Sequence, residues 1–302
     1  MPVDQPTRTR TTGVDQSEPT IVSTSEGRLA FHEVGSATID ATGQPSLPLV
    51  MLHGFTGHRD DFIGEMDVFG AQRRVIAADL RGHGDSENTE GQHGWCFEQL
   101  VADLAALLDT LEIDRIDLLG HSVGGFVALR FALAHPERVN SLMFMCTAPE
   151  TPGRLNPKGF HAGAGLAEAR GMDGLQGPAA AVIRADPFQG LPAWGDAERY
   201  FAHHERRHVS MSPASYRQVG TMFFESESIA SRLGEIDVPC LVLVGAQDVD
   251  WLPGADLFEA GLRDVRRETI AGAEHHPHQE NRAVFLAQVQ HFLSDVAARN
   301  AA

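Results

Sequence analysis

The sequence predicts an α/β fold: a mostly parallel sheet that opens with an antiparallel hairpin, carries helices on both faces and is interrupted by one inserted helical segment. Three observations carry this reading. Short continuous apolar runs alternate with amphipathic stretches, as buried parallel strands and their covering helices do. Two strand-like runs joined by Ser25-Glu26-Gly27 precede the alternation. A Gly-x-Ser-x-Gly sequence, Gly120 to Gly124, stands where one apolar run gives way to helical spacing.

In chain order, residues 1–19 are rich in Thr, Pro, Asp and Gln and read as a mobile tail. Ile21 to Ser23 and Leu29 to Val34 form the hairpin, and a polar connection follows from Gly35 to Pro48. The buried runs are Leu49–Leu52, Val75–Ala78, Ile116–Leu119, Leu142–Met145, Leu241–Val244 and Arg267–Ile270. Between them, Leu100, Val101, Leu104, Leu107, Leu108 and Leu111 recur at three- and four-residue spacings, and Ala283 to Phe292 repeats the pattern. Both are expected to be covering helices. The rhythm fails over 147–225, which has many Gly and Pro and no convincing buried strand, so this stretch is expected to be a helical cap. Residues 20–146 and 226–302 then make one core, and no internal repeat is visible.

The chain has 302 residues, 42% of them hydrophobic, enough for a substantial core without a second full domain. Its 24 basic and 41 acidic side chains give a formal charge of −17, which argues against nucleic-acid and anionic-membrane partners. No apolar run approaches membrane-spanning length, and the N-terminal residues lack the apolar core of a signal peptide. Three widely spaced cysteines, Cys96, Cys146 and Cys240, two of them in apolar runs, suit a reduced cytoplasmic compartment. Oligomeric state is not legible.

Ser122 falls on a strand-to-helix turn, where the residues two positions away must be small; Gly120 and Gly124 meet that need. A serine hydroxyl is a poor nucleophile at neutral pH and needs a base, which in turn needs an orienting acid. Asp248 follows the run Leu241–Val244, and His275 follows Arg267–Ile270. Catalytic groups of open parallel sheets gather beyond the strands' carboxyl ends, so Ser122, Asp248 and His275 are expected to converge there. Asp250 competes for the acid role, and His276 and His278 for the base. The Val123 N–H, opening the helix, and the Phe55 N–H, in the loop His53-Gly54-Phe55-Thr56-Gly57, are candidate oxyanion donors. His53 is expected to brace that loop, and Asp79-Leu80-Arg81-Gly82-His83-Gly84-Asp85-Ser86 to be a braced turn, since it lacks the lysine and spacing of a P-loop.

His204-Glu205-Arg206-Arg207-His208 matches H-E-x-x-H, a zinc-protease pattern. Two central arginines would set positive charge beside a dication, and no third ligand stands out downstream. The run is expected to be a solvated helix; neither a metal nor a cofactor is expected. Phe188, Trp194, Phe201, Phe223 and Phe224 either line an apolar substrate pocket or form the insertion's own small core.

With these residues in view, the chain resembles the α/β-hydrolase fold family from about residue 21 to the last helix. The resemblance rests on His53-Gly54-Phe55, the 79–86 loop, Gly120-His121-Ser122-Val123-Gly124-Gly125, His135-Pro136-Glu137-Arg138-Val139, Gly245-Ala246-Gln247-Asp248, and His275 with Glu280 following. It implies Ser122 as nucleophile, His275 as base, Asp248 as acid and Phe55 with Val123 as oxyanion donors. One departure is Glu274, where the family usually has glycine. A serine at the turn makes aspartate-dependent dehalogenase and epoxide hydrolase activity poor fits. The resemblance points to a serine hydrolase acting on a small carboxylic ester or lactone. A carbon–carbon hydrolase or lyase, a cofactor-free perhydrolase and a non-enzymatic ligand receptor remain as alternatives.

Overall fold

The computed structural model describes residues 18–39, 43, 45–88, 95–175, 203, 207 and 209–300. Phe188, Trp194, Phe201 and most of the tail lie outside the described residues. Strands β1 (Thr20–Thr24) and β2 (Gly27–Val34) form the hairpin. Then follow β3 (Leu49–Leu52), α1 (Ile63–Gly70), β4 (Val75–Ala78), α2 (Phe97–Thr110), β5 (Ile116–His121) and α3 (Val123–Ala134). After β6 (Val139–Met145) come α4 (Pro157–Arg170) and α5 (Pro213–Phe224), then β7 (Cys240–Gly245), α6 (Leu252–Gly261), β8 (Val265–Ile270), the short α7 (Pro277–Glu280) and α8 (Arg282–Asn300).

These strands make one 8-stranded sheet in the order β1-β2-β4-β3-β5-β6-β7-β8. Only the β1–β2 and β2–β4 pairings are antiparallel; from β4 to β8 every pairing is parallel. Alternation along each strand feeds two cores. Leu118 packs with Phe126, Phe144 and Phe258 on one face, whereas its neighbour Leu119 packs with Phe62, Met143 and Phe285 on the other. Because both faces are covered, β3 to β7 are buried along their whole length, and β3, β4 and β7 carry no polar side chain.

Strand β6 begins three residues before its apolar run, at Val139. Asn140 and Ser141 are polar yet buried because both donate to Asp117 of β5, each at 2.7 Å, with Arg73 completing the carboxylate's partners at 2.7 Å. Within 147–225, the described residues hold α4 and α5 and no strand. Asn156 and Ser212 cap the two helices, accepting from Lys158 N and Ser215 N. The helices pack where the Phe160 ring crosses Gly220; a Cβ at that glycine would stand 2.0 Å from the ring. Among the described residues no helix is long and apolar enough to cross a membrane.

Candidate active site

Strand β5 delivers Ser122 into a turn with φ 51° and ψ −118°, a conformation that non-glycine residues seldom adopt. The turn is held from both sides. Ser122 N donates to Met145 O at 3.0 Å, while its own carbonyl accepts from Thr147 Oγ1 at 2.7 Å and Gly125 N at 2.9 Å. The glycines are steric necessities: a Cβ at Gly120 would lie 2.4 Å from Gly124 O, and one at Gly124 would lie 2.5 Å from Leu52 O.

Asp248 and His275 lie in the loops after β7 and β8 and meet. His275 Nδ1 donates to Asp248 Oδ2 at 2.8 Å, and Asp248 is buried. The histidine loop reaches the turn through His121, whose Nε2 donates to His275 O at 2.8 Å and whose ring centre lies 4.9 Å from that of His275. No hydrogen bond joins the Ser122 hydroxyl to the His275 ring; in many enzymes that contact tightens only when substrate closes the site. Trp251 stacks on His275 at 5.2 Å and 30°, fixing the ring from its other face. Its rivals are engaged elsewhere: His276 Nε2 accepts from Arg207 at 2.6 Å, and His278 is buried among Phe62, Phe285 and His121.

Gly54 brings the oxyanion loop onto Ser122, with a built Cβ only 3.0 Å from Ser122 Cβ. Among the described residues neither the Phe55 nor the Val123 N–H donates a hydrogen bond. His53 braces this loop. Its Nδ1 donates to Gly54 O at 2.8 Å, its Nε2 accepts from Leu80 N at 3.0 Å, and burial lowers its pKa to about 4, so it stays neutral. The 79–86 loop is likewise tied down: Asp79 accepts from Arg59 N and Asp85 N, and Ser86 Oγ donates to Asp79 O at 2.8 Å.

An aromatic wall joins the two ends of the site. Phe55 meets Tyr216 at 4.9 Å, Tyr216 meets Phe160 at 5.6 Å, Phe160 meets Phe224 at 5.2 Å, and Phe223 lies 6.1 Å from Trp251. Phe223 is buried and also packs edge-on against Phe126, so it belongs to the packing beneath the wall; Phe224 is half-buried.

The polar run at 204–208 is corrected in part. Arg207 is buried instead of solvated, because it turns, with the buried His203 just before the run, onto the buried carboxylate of Asp61. His204, Glu205, Arg206 and His208 lie outside the described residues. Among the described residues, two groups of three donors lie close enough to hold a metal ion, His58 with Asp61 and His203, and Cys146 with Asp248 and His275, each within 4.8 Å. In the first, the Arg207 guanidinium already supplies the cation. In the second, burial and the neighbouring Asp248 raise the Cys146 thiol well above its usual pKa, which keeps it protonated. Sequence reasoning missed Arg207 and the carboxylate of Glu280, which accepts from Glu274 N and His276 N on either side of His275. Only the motif position of Glu280 gave a signal.

Residues 48–281 match the sequence profile described as alpha/beta hydrolase fold. A Bacillus subtilis protein provisionally named 2-succinyl-6-hydroxy-2,4-cyclohexadiene-1-carboxylate synthase is 28% identical over 262 residues, covering 86% of this chain and 95% of that protein. A 2-hydroxy-6-oxo-2,4-heptadienoate hydrolase of Pseudomonas putida is 45% identical over 118 residues, 38% of this chain and 39% of that protein. Among solved structures, the enol-lactonase from Burkholderia xenovorans LB400 superposes with TM-score 0.75 at 22% identity, over 91% of this chain and 100% of that one. The match over most of the chain, together with the sheet order and the strained turn at Ser122, establishes that this protein belongs to the alpha/beta hydrolase fold family.

Proposed function

We propose that the protein is a serine hydrolase that cleaves a small carboxylic ester or lactone through an acyl-enzyme, with 147–225 as its cap. The observation that carries this reading is the Asp248–His275 pair, bonded at 2.8 Å, whose loop is tied at the His275 carbonyl to His121, the residue before a serine held at positive φ. His275 takes the Ser122 proton as the hydroxyl attacks the carbonyl, and Asp248 holds the ring in the tautomer that can do so. The N–H groups of Phe55 and Val123 receive the oxyanion, each contributing roughly 3 to 4 kcal/mol to lowering the barrier. Protonated His275 then gives that proton to the departing alcohol oxygen as the acyl-enzyme forms, and the neutral ring next deprotonates a water that attacks the acyl carbonyl; Ser122 leaves with that proton and the acid is released. The aromatic wall favours a flat or extended apolar group on the substrate.

A second reading uses the same groups on a carbon–carbon bond. It is favoured by relatives named as a cyclohexadiene-carboxylate synthase and a heptadienoate hydrolase. A panel of nitrophenyl esters, lactones and a dienoate, run with wild type and Ser122→Ala, separates the two. Esters and lactones are expected to turn over and fluorophosphonate to label Ser122, with Ser122→Ala losing at least about 10⁴-fold in kcat. Turnover of the dienoate alone selects the second reading, and ester turnover that survives Ser122→Ala refutes both.

A further inference from the structure

Among the places where the insertion meets the core is a buried carboxylate. Asp61 follows the oxyanion loop and is 1% exposed. His203 Nε2 lies 2.8 Å from its Oδ1, and Arg207 Nη2 lies 3.2 Å from its Oδ2. Arg207 does not stop there: its Nη1 donates to His276 Nε2 at 2.6 Å, one residue from His275. The core closes the circuit from two further sides. Gln279 Nε2 donates to Asp61 O at 3.1 Å, and the turn that carries Phe55 rests on the carboxylate so closely that a Cβ at Gly57 would lie 2.5 Å from Oδ2. Ser210, three residues after Arg207, adds a second seam by accepting from Gly84 N at 2.7 Å through its carbonyl.

One guanidinium therefore touches both halves of the site. We propose that Arg207 is a positioning residue that seats the insertion on Asp61 and, through His276, holds the His275 loop in register with the oxyanion loop. The reaction it serves rests on the serine-hydrolase reading above; the seat itself rests on geometry alone. A metal ion shared by His58, Asp61 and His203 is the competing use of this cluster, but the Asp61 carboxylate already has the Arg207 guanidinium as its cation. Arginine suits the task because its planar fork presents donors to two acceptors at once. A lysine ammonium on a flexible stem neutralises Asp61 without holding His276 at a set angle.

That difference supplies the test. Arg207→Lys keeps the charge on Asp61 and is expected to fold, yet to lose about 10- to 100-fold in kcat and in the rate of fluorophosphonate labelling. KM should change by less than about 3-fold, because no substrate contact is removed. If Arg207 only stabilises the fold, Arg207→Lys recovers kcat along with folding, and the proposal fails. Arg207→Met leaves Asp61 buried without its main counter-charge; should it not fold, the Asp61→Asn/Arg207→Met double variant removes both charges and is expected to fold with the same kcat loss. If wild type is never labelled, the serine-hydrolase reading falls by itself. Limited proteolysis then decides the seat: faster cleavage within 147–225 in the double variant than in wild type sustains it, and equal rates overturn it.

Discussion

A single carboxylate grips the histidine loop on both sides of His275. Glu280 Oε2 accepts from Glu274 N at 2.5 Å and from His276 N at 3.3 Å, so a glutamate four residues past His276 takes over the ordering of a loop that the family usually builds with glycine. The main chain of Glu274 is used as well: its carbonyl accepts from Cys146 Sγ at 3.5 Å and lies where a Cβ on Gly245 would fall, 2.0 Å away. Glu280→Gln keeps the shape and removes the charge. Losing the charge assistance is worth about 1 to 2 kcal/mol, so kcat should fall about 10-fold with KM nearly unchanged; equal kcat in steady-state assays would contradict the assignment. At this scale the sequence was informative where chemistry imposes a local pattern. Ser122 is marked by its flanking glycines, and Asp248 and His275 by their place after buried runs. Arg207 has no such mark, because a buried arginine and a solvated one are written alike until a distant carboxylate is brought to it.

Among the elements, strands were easiest to read and the insertion hardest. Runs such as Leu49–Leu52 and Val75–Ala78 coincide with their strands because burial on both faces leaves no polar residue to blur the ends. Strand β6 was read short because Asn140 and Ser141 are satisfied by Asp117, a contact across the sheet. Helices α4 and α5 approach very closely where Phe160 crosses Gly220. With Phe160 2.0 Å from the position of a Cβ on Gly220, Gly220→Ala must displace that ring. The expected cost is roughly 1 to 3 kcal/mol in urea unfolding, with a raised KM for aromatic esters as Phe160 moves against Tyr216 and Phe224. Unchanged stability would mean that the two helices part easily and that the aromatic wall is not a fixed surface.

Over the whole molecule, the most distinctive electrostatic property is a set of imidazoles folded away from water. Burial lowers His53 and His58 to about 4 and His83 and His278 to about 3, and holds His121 well below its usual value. Below pH 6.5 the unfolded chain takes up protons that these groups refuse while folded, so they contribute stability above that pH and withdraw it as pH falls toward 4. Burial acts oppositely on Glu65 and Asp79, raised to about 8 and about 6, and on Asp103, also raised; these stabilise at low pH and lose that contribution as pH rises. The imidazoles outnumber the carboxyls, so Tm is expected to drop as pH is lowered from 6.5 to 4.5. Neither ring nitrogen of His278 has a hydrogen-bond partner among the described residues. His278→Leu should accordingly flatten the dependence, each proton removed being worth about 1.4 kcal/mol per pH unit, and should melt above wild type at pH 5. Melting curves that are level across this range would show that the imidazoles are hydrated in solution.

By itself the sequence determined the layered α/β architecture, the strand order of events along the chain, and a serine, an aspartate and a histidine placed at strand ends, since all of these follow from local periodicity and from where turns must fall. Tertiary structure alone decided which polar residues are buried and that Asp61 meets His203 and Arg207. The physical reason is that a charge is stable in the interior only when another group, remote in the chain, is folded against it, and no local pattern records that partner.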